Sequence, residues 1–385
     1  MDRRKATVAL ATAGAVAGVA GLALLASPAG AGAAPSLPSV SAEDLVQSVL
    51  TTTPPALGGT VSVTNNLGLP AIPGLPQAGA GESKLRVWTD GAGRSRFSLP
   101  QGQDEKTIVR DGTTVWSWDS AERKVTKTTI DPKKLEEHKA EFDKKKVEPT
   151  DPASASRELV NLVRQQSDLS VDGTAEVAGR AAYELVLTPK PNERTLLRGV
   201  RVAVDAEKRI PLRVTVLSNG STDPALQIGF SQLNVGAQDE NLFKFTPPAG
   251  ATVEEQKAED KAKQHEGREK PSQQELDKAK AELEKAFKVV GEGWDTTVVG
   301  KLPQQALKPA DGQQSERREG RRGGDGAAAN PLAMVQQLGK AVNGAWGSGW
   351  VIETKVGTAL VTSDGRFAVG AVPQQVLTEA IGQVK

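Results

Sequence analysis

The alternation of apolar and polar positions is clearest from Lys84 to Lys127, where it writes a run of antiparallel strands. In KLRVW, Leu85 and Val87 share one side of a strand, Arg86 and Trp88 take the other, and Asp90-Gly91-Ala92-Gly93 supplies a turn. Strands follow at Arg94–Leu99, from Ile108, at Thr114–Trp118 and at Lys124–Thr129, with Asp111-Gly112 as a tight hairpin turn. Trp116 and Trp118 fall on one side of their strand, with Val115 and Ser117 on the other. Together these strands predict one curved sheet.

The same period returns downstream. Thr60–Asn65 is an earlier strand; Ser170–Thr174 and Glu176–Arg180 frame a turn; Ala182–Leu187, Val200–Val204, Leu212–Leu217 and Ala225–Leu233 are further strands. Helical spacing is confined to a few places. Ser41 caps a helix with Glu43 and Asp44 in its first turn, and Asp151-Pro152 opens another with Leu159, Val160, Leu162 and Val163 on a broad apolar face. Ser272 and Glu275 form a capping box ahead of Leu276, Ala279, Leu283, Phe287 and Val290, which predicts a helix up to Gly291. Past Pro331 come a helix over Leu332–Val342, strands Val351–Val356, Thr358–Thr362 and Arg366–Val372, and a last helix from Pro373. Strands in succession with helices set apart from them predict an α+β fold on an antiparallel sheet, not a doubly wound parallel one.

Between these elements the composition shifts. Leu67–Gly81 is a loop of Gly, Pro and Leu, read either as a crossover packed on the sheet or as a flap in which Leu69, Ile72 and Leu75 cover a hydrophobic mouth. Pro132–Val147 and Glu254–Pro271 are highly charged, and Ala306–Ala329 reads as a linker. Its Arg317, Arg318, Arg321 and Arg322 form a basic cluster that allows peripheral contact with acidic headgroups. The organisation expected is 1–34 as signal peptide or anchor, 41–253 as the main domain, 254–329 as charged helix and linker, and 330–385 as a small α/β extension.

The N-terminus and the composition narrow the function classes. Arg3, Arg4 and Lys5 precede the uncharged run Ala6–Ala26, and Ala31-Gly32-Ala33 offers small residues to a signal peptidase. Export is expected, by a cleaved signal or an uncleaved N-terminal anchor. The 48 Lys plus Arg against 47 Asp plus Glu give no net field to attract nucleic acid. Cysteine is absent, which removes disulfides, thiol catalysis and a lipid-modified cysteine. The two histidines, His138 and His265, lie in charged stretches, so neither a His-based triad nor a multi-His metal site is expected. No phosphate-cradling or dinucleotide-binding Gly motif is present. No catalytic residue, metal or cofactor is assigned.

Four motifs occur in a meaningful order. They are IVRDGTTVWSWD from Ile108 to Asp119, VAGRAAYELVLTP from Val177 to Pro189, VDAEKRIPLR from Val204 to Arg213, and FKFTPPAG from Phe243 to Gly250. In that order they resemble the LolA-like group: lipoprotein carriers, the sigma-factor regulators RseB and MucB, and mycobacterial lipid-binding relatives. The resemblance spans about Ser41 to Val253. It implies a strongly curved antiparallel sheet forming an incomplete β-barrel closed by helices, with a hydrophobic cavity for acyl chains. It also implies a non-enzymatic carrier or sensor of the cell envelope that binds a lipid or an acylated lipoprotein. The alternative is a regulator that binds a membrane-anchored anti-sigma partner.

Leu85, Val87, Trp88, Phe97, Trp116 and Trp118 are the candidate ligand-binding residues. If Trp116 and Trp118 face inward they meet core or cargo, and if outward they form a patch for a partner.

Overall fold

The computed structural model describes residues 35–68, 81–131, 152–257, 287–302 and 331–384. The N-terminal run, the loop holding Leu69, Ile72 and Leu75, the charged segment 132–150 and both histidines lie outside the described residues.

Alternation does produce strands where it is written. Chain order begins with helix α1 (Ala42–Thr51) and strand β1 (Leu57–Asn65). The meander follows as β2 (Gly81–Thr89), β3 (Ser95–Gln101), β4 (Asp104–Asp111), β5 (Thr114–Asp119) and β6 (Lys124–Thr129). After helix α2 (Pro152–Gln166) come β7 (Ser167–Val177), β8 (Arg180–Pro189), β9 (Leu197–Asp205), β10 (Pro211–Ser218), β11 (Pro224–Val235) and β12 (Thr252–Lys257). Ser41 caps α1 as its sequence predicts, its hydroxyl accepting from the Asp44 N–H at 3.0 Å.

These strands form one sheet in the order β12-β6-β5-β4-β3-β2-β1-β11-β10-β9-β8-β7. The fold is α+β and mostly strand, and the sheet is not closed into a barrel, since β12 and β7 are its two ends. It is curved: β7 contacts β11, although four strand spacings would hold them about 19 Å apart in a flat sheet.

Core packing follows from register. On β1, Gly59, Val61 and Val63 face the same way as Val87, Leu85 and Ser83 opposite them on β2, and as Leu233, Phe230 and Ile228 on β11. Val61, Phe230 and Ile228 are buried there, each contributing about 1.5–3 kcal/mol relative to exposure. Val63, Ile228, Val214 and Val202 continue the row across β11 and β10 to β9. Leu45 of α1 packs onto that far end, against Tyr183 and Val204.

Two local expectations change. Ser170–Thr174 and Glu176–Arg180 are expected to frame a turn, yet β7 runs unbroken from Ser167 to Val177, with Gly173 at φ +87° inside a register shift between Val171 and Thr174. The reversal falls instead at Ala178-Gly179, both at positive φ. β12 is also not antiparallel: it pairs parallel with β6 after the chain has crossed the sheet.

A second sheet draws on residues expected to be helix and linker. Among the described residues it has the order β13-β14-β18-β17-β16-β15, with β13 Phe287–Val290, β14 Thr297–Lys301, β15 Lys340–Gly344, β16 Gly347–Glu353, β17 Thr358–Thr362 and β18 Arg366–Gly370. The predicted helix up to Gly291 is therefore strand over Phe287–Val290, and its earlier part lies outside the described residues. FKVV fits a two-residue period as well as a helical one, and pairing with β14 decides it. Helix α3 (Pro331–Leu338) ends before Val342, which belongs to β15. Helix α4 (Gln374–Ile381) covers one face of this sheet, burying Val376, Leu377, Ala380 and Ile381 against Val299, Val351, Leu360 and Ala368.

The two sheets meet at the β8–β9 connection. The Trp294 indole N–H donates to Ser167 Oγ at 2.7 Å and its backbone N–H to the Glu193 carboxylate at 2.8 Å. The Thr195 hydroxyl and the Leu196 N–H both donate to the Ala371 carbonyl, at 2.7 and 2.9 Å. Arg194 pairs with Glu379 at 2.6 Å. The second sheet thus docks on the first without extending it.

Candidate functional site

Register sorts the predicted residues onto two opposite faces of the meander. Val87 of β2, Phe97 of β3, Ile108 of β4 and Ser117 of β5 are directly paired and point the same way. Trp88, Arg96, Val109, Trp116 and Lys127 form the adjacent row on the other face. Trp118 shares that second face, between Thr107 and Val125. The six candidates therefore do not line one site. Leu85, Val87 and Phe97 are on the face that carries the core, and the three tryptophans are on its reverse.

The tryptophan face is covered by the chain itself. After β11 a short 3-10 turn at Glu240–Phe243, capped by the Asp239 side chain, lays the FKFTPPAG run across it. Phe243 is buried with the Arg94 guanidinium 5.2 Å from its ring centroid, and Arg96 donates to the Leu242 carbonyl at 3.4 Å. Phe245 stacks at 5.5 Å on Trp116, whose ring also lies 5.5 Å from the Lys127 ammonium. Arg123 donates to the Ala249 carbonyl at 2.8 Å, and β12 then adds to the sheet. Trp116, half-buried, thus holds the strap through Phe245. Trp88 lies over Gly58, its directly paired neighbour, where an added Cβ would stand 2.5 Å from the indole.

Between strap and sheet an open cleft of about 390 Å³ remains, with Trp88 on one wall. Leu242 apart, its other lining is polar and nearly neutral: Arg86, Arg96, Ser98 and Glu105 from the sheet, Asp239 and Asn241 from the strap. Partial burial pushes the Glu105 carboxyl up, but the hydroxyls of Thr107 and Ser98 and the guanidiniums of Arg86 and Arg96 outweigh it and hold it below the usual carboxylate range. Arg86 donates to it at 3.0 Å. Glu105 is thus an ionised, satisfied acceptor and a poor general acid. None of these polar residues carries a local sequence signal, since the strap brings them together from positions far apart.

The face of Val87 also carries charged Lys106, Arg110, Asp119 and Lys124, with Phe97 and Ile108 among them, while the tryptophan face buries Val109 and Val125. Phe97 is 40% and Ile108 46% exposed, side by side and contiguous with buried Val87. Ile108 completes the row and is not among the sequence candidates, because Ile108-Val109 are consecutive apolar residues and periodicity alone does not orient them. Among the described residues no group of His, Asp and Glu is arranged to hold a metal ion, and no helix is long and apolar enough to cross a membrane.

No family model and no curated protein matches the chain. Among solved structures it is similar to MucB in complex with MucA(peri), at 15% identity and a TM-score of 0.42, over 88% of this chain and 97% of that one. It is similar to the MucA/MucB complex of Pseudomonas aeruginosa at 15% identity and a TM-score of 0.41, over 88% of this chain and 96% of that one. To the LolA superfamily protein NE2245 from Nitrosomonas europaea it shows 10% identity and a TM-score of 0.22, over 54% of this chain and 99% of that one.

Proposed function

We propose that the chain is an exported, non-enzymatic envelope protein whose large sheet binds a lipid or the acyl chain of a lipoprotein on the face bearing Phe97 and Ile108. One observation carries this: two large apolar side chains, directly paired and open, stand in the same row as buried Val87. Hydrophobic burial would supply the affinity, at about 0.8 kcal/mol per methylene transferred from water. The order of the four sequence motifs supports the same reading. Titrating the full chain with a fluorescent fatty acid tests it. Saturable uptake that falls when Phe97 and Ile108 become serine agrees with it; no uptake by the native chain contradicts it.

A second reading, a regulator that grips a membrane-anchored partner, is favoured by the docked second sheet. The contacts of Trp294, Thr195 and Arg194 hold that unit in a set place on the first. Because its strands begin at Phe287, the discriminating deletion removes everything from residue 287 on. A carrier keeps its lipid after this deletion, whereas a regulator loses its partner.

A further inference from the structure

The cleft between strap and sheet has no part in acyl binding, since Phe97 and Ile108 lie on the opposite face of the meander. Its aromatic wall is half-buried Trp88. Trp116 is taken up by Phe245 and Lys127, whereas Trp88 has no aromatic or cationic partner among the described residues, and its indole N–H has no acceptor there. Gly58 leaves room for its ring on the neighbouring strand.

The polar walls are held in place by the protein's own bonds. Glu105 accepts from Ser98 at 2.9 Å, from Thr107 and from Arg86 at 3.0 Å. The strap wall is fixed by buried Phe243 and by the Asp239 carboxylate, which accepts from the Asn241 N–H at 2.9 Å. The hydrogen-bonding groups left over are mostly donors. Arg86 Nε and Nη1, Arg96 Nε and Nη2 and Asn241 Nδ2 have no acceptor among the described residues, while Asp239 Oδ2 is the carboxylate oxygen of the cleft that lacks a donor.

An anion would gain from Arg86 and Arg96 but would also meet the carboxylates of Glu105 and Asp239, so the cleft offers it no net charge. A sugar needs none. The C–H side of its ring packs on an aromatic side chain, and its hydroxyls exchange hydrogen bonds with planar polar groups. Hydroxyls donate as readily as they accept, so surplus donors fit a sugar that carries an additional acceptor. An acetamido group supplies one as its carbonyl, and its methyl matches Leu242, the apolar residue of the strap wall. At about 390 Å³ the cleft lies within the range of roughly 300–1,000 Å³ found for small-molecule sites.

We infer that this cleft binds an N-acetylated amino sugar of a neutral glycan. The ring lies on Trp88, the acetamido carbonyl accepts from Arg96 and Asn241 beside Leu242, and a ring hydroxyl donates to Asp239. Isothermal titration of the full chain with tri-N-acetylchitotriose should give saturable binding, with maltotriose, which lacks acetamido groups, weaker by about tenfold. Arg86 and Asn241 are exposed, so Arg86→Ala and Asn241→Ala should each weaken chitotriose binding by about fivefold at an unchanged melting temperature. The Phe97→Ser, Ile108→Ser double variant should bind it as the native chain does, because those residues are on the other face. No binding of tri-N-acetylchitotriose by the native chain overturns the inference. Equal affinity for maltotriose, or an affinity unchanged in both cleft variants, overturns it as well, and displacement of the bound sugar by inorganic phosphate would assign the cleft to anions instead.

Discussion

Phe97 and Ile108 stand directly opposite each other on β3 and β4, both open to solvent, on the face whose neighbouring strand buries Val87. Because they are exposed, replacing them with serine should change stability by no more than about 0.5 kcal/mol. If they hold an acyl chain, each replacement should weaken its uptake by about tenfold, the equivalent of ~1.4 kcal/mol of lost apolar contact. Paired thermal melts and fatty-acid titrations separate the two effects.

Gly58 and Gly59 are adjacent but should not respond alike. An added Cβ at Gly59 would run into the backbone carbonyl of Gln232 and lie 3.0 Å from the Phe230 ring, neither of which can yield without moving the core. At Gly58 the obstacles are the side chains of Gln238 and Trp88, and these can turn away. Denaturant unfolding should show Gly59→Ala costing about 1–3 kcal/mol and Gly58→Ala less.

Asp205 is almost fully buried, 1% exposed, and paired with Arg180, whose Nη2 donates to it at 3.0 Å. Burial pushes its carboxyl up, but Arg180 and the backbone N–H groups of Lys208 and Glu207 outweigh that and lower its pKa. With the folded pKa below the unfolded value of about 3.9, its stabilisation is complete above roughly pH 4 and is lost as pH falls through the folded value. Asp205→Asn should cost about 1–3 kcal/mol at neutral pH, because Arg180, partly exposed, keeps only its longer contact with Glu207 at 3.3 Å. It should also flatten the acid limb of the stability curve, which melts between pH 7 and pH 2 would record.

In the second sheet Asp364 is pushed down to about 2: partial burial opposes the shift, while the Thr362 hydroxyl and Arg366 outweigh it. The same sign applies, so this stabilisation fades between roughly pH 4 and pH 2.

Trp294 fastens the two sheets through its indole N–H. Trp294→Phe keeps most of the ring but leaves buried Ser167 without that donor, at a cost of about 1 kcal/mol. The expected outcome is earlier release of the second unit, seen as faster proteolysis near the β8–β9 connection with little change in the main melt.

Much of this architecture is legible in the sequence, and its gaps have physical causes. Strict alternation in TVSV, VRVAV and LRVTV fixed those strands because a period of two admits no other element. The turn expected between Thr174 and Glu176 is instead part of β7, because a break in alternation is written alike by a turn and by a bulge, and only pairing with β8 tells them apart. Phe287–Val290 misleads because four apolar-rich residues fit either period. The faces of Trp88, Trp116 and Trp118 follow from alternation, but what covers them depends on Phe243 and Phe245, more than a hundred residues later in the chain. The polar cleft had no local signal, since Arg86 and Glu105 meet Asp239 only once the strap is in place.

The most direct test of the acyl-binding account is native mass spectrometry of the full chain purified from the membranes of its own cells. A co-purifying lipid should appear on the native chain and be lost from the Phe97→Ser, Ile108→Ser double variant at an unchanged melting temperature. A clean lipid-free mass for the native chain, with no uptake of added fatty acid, would contradict it.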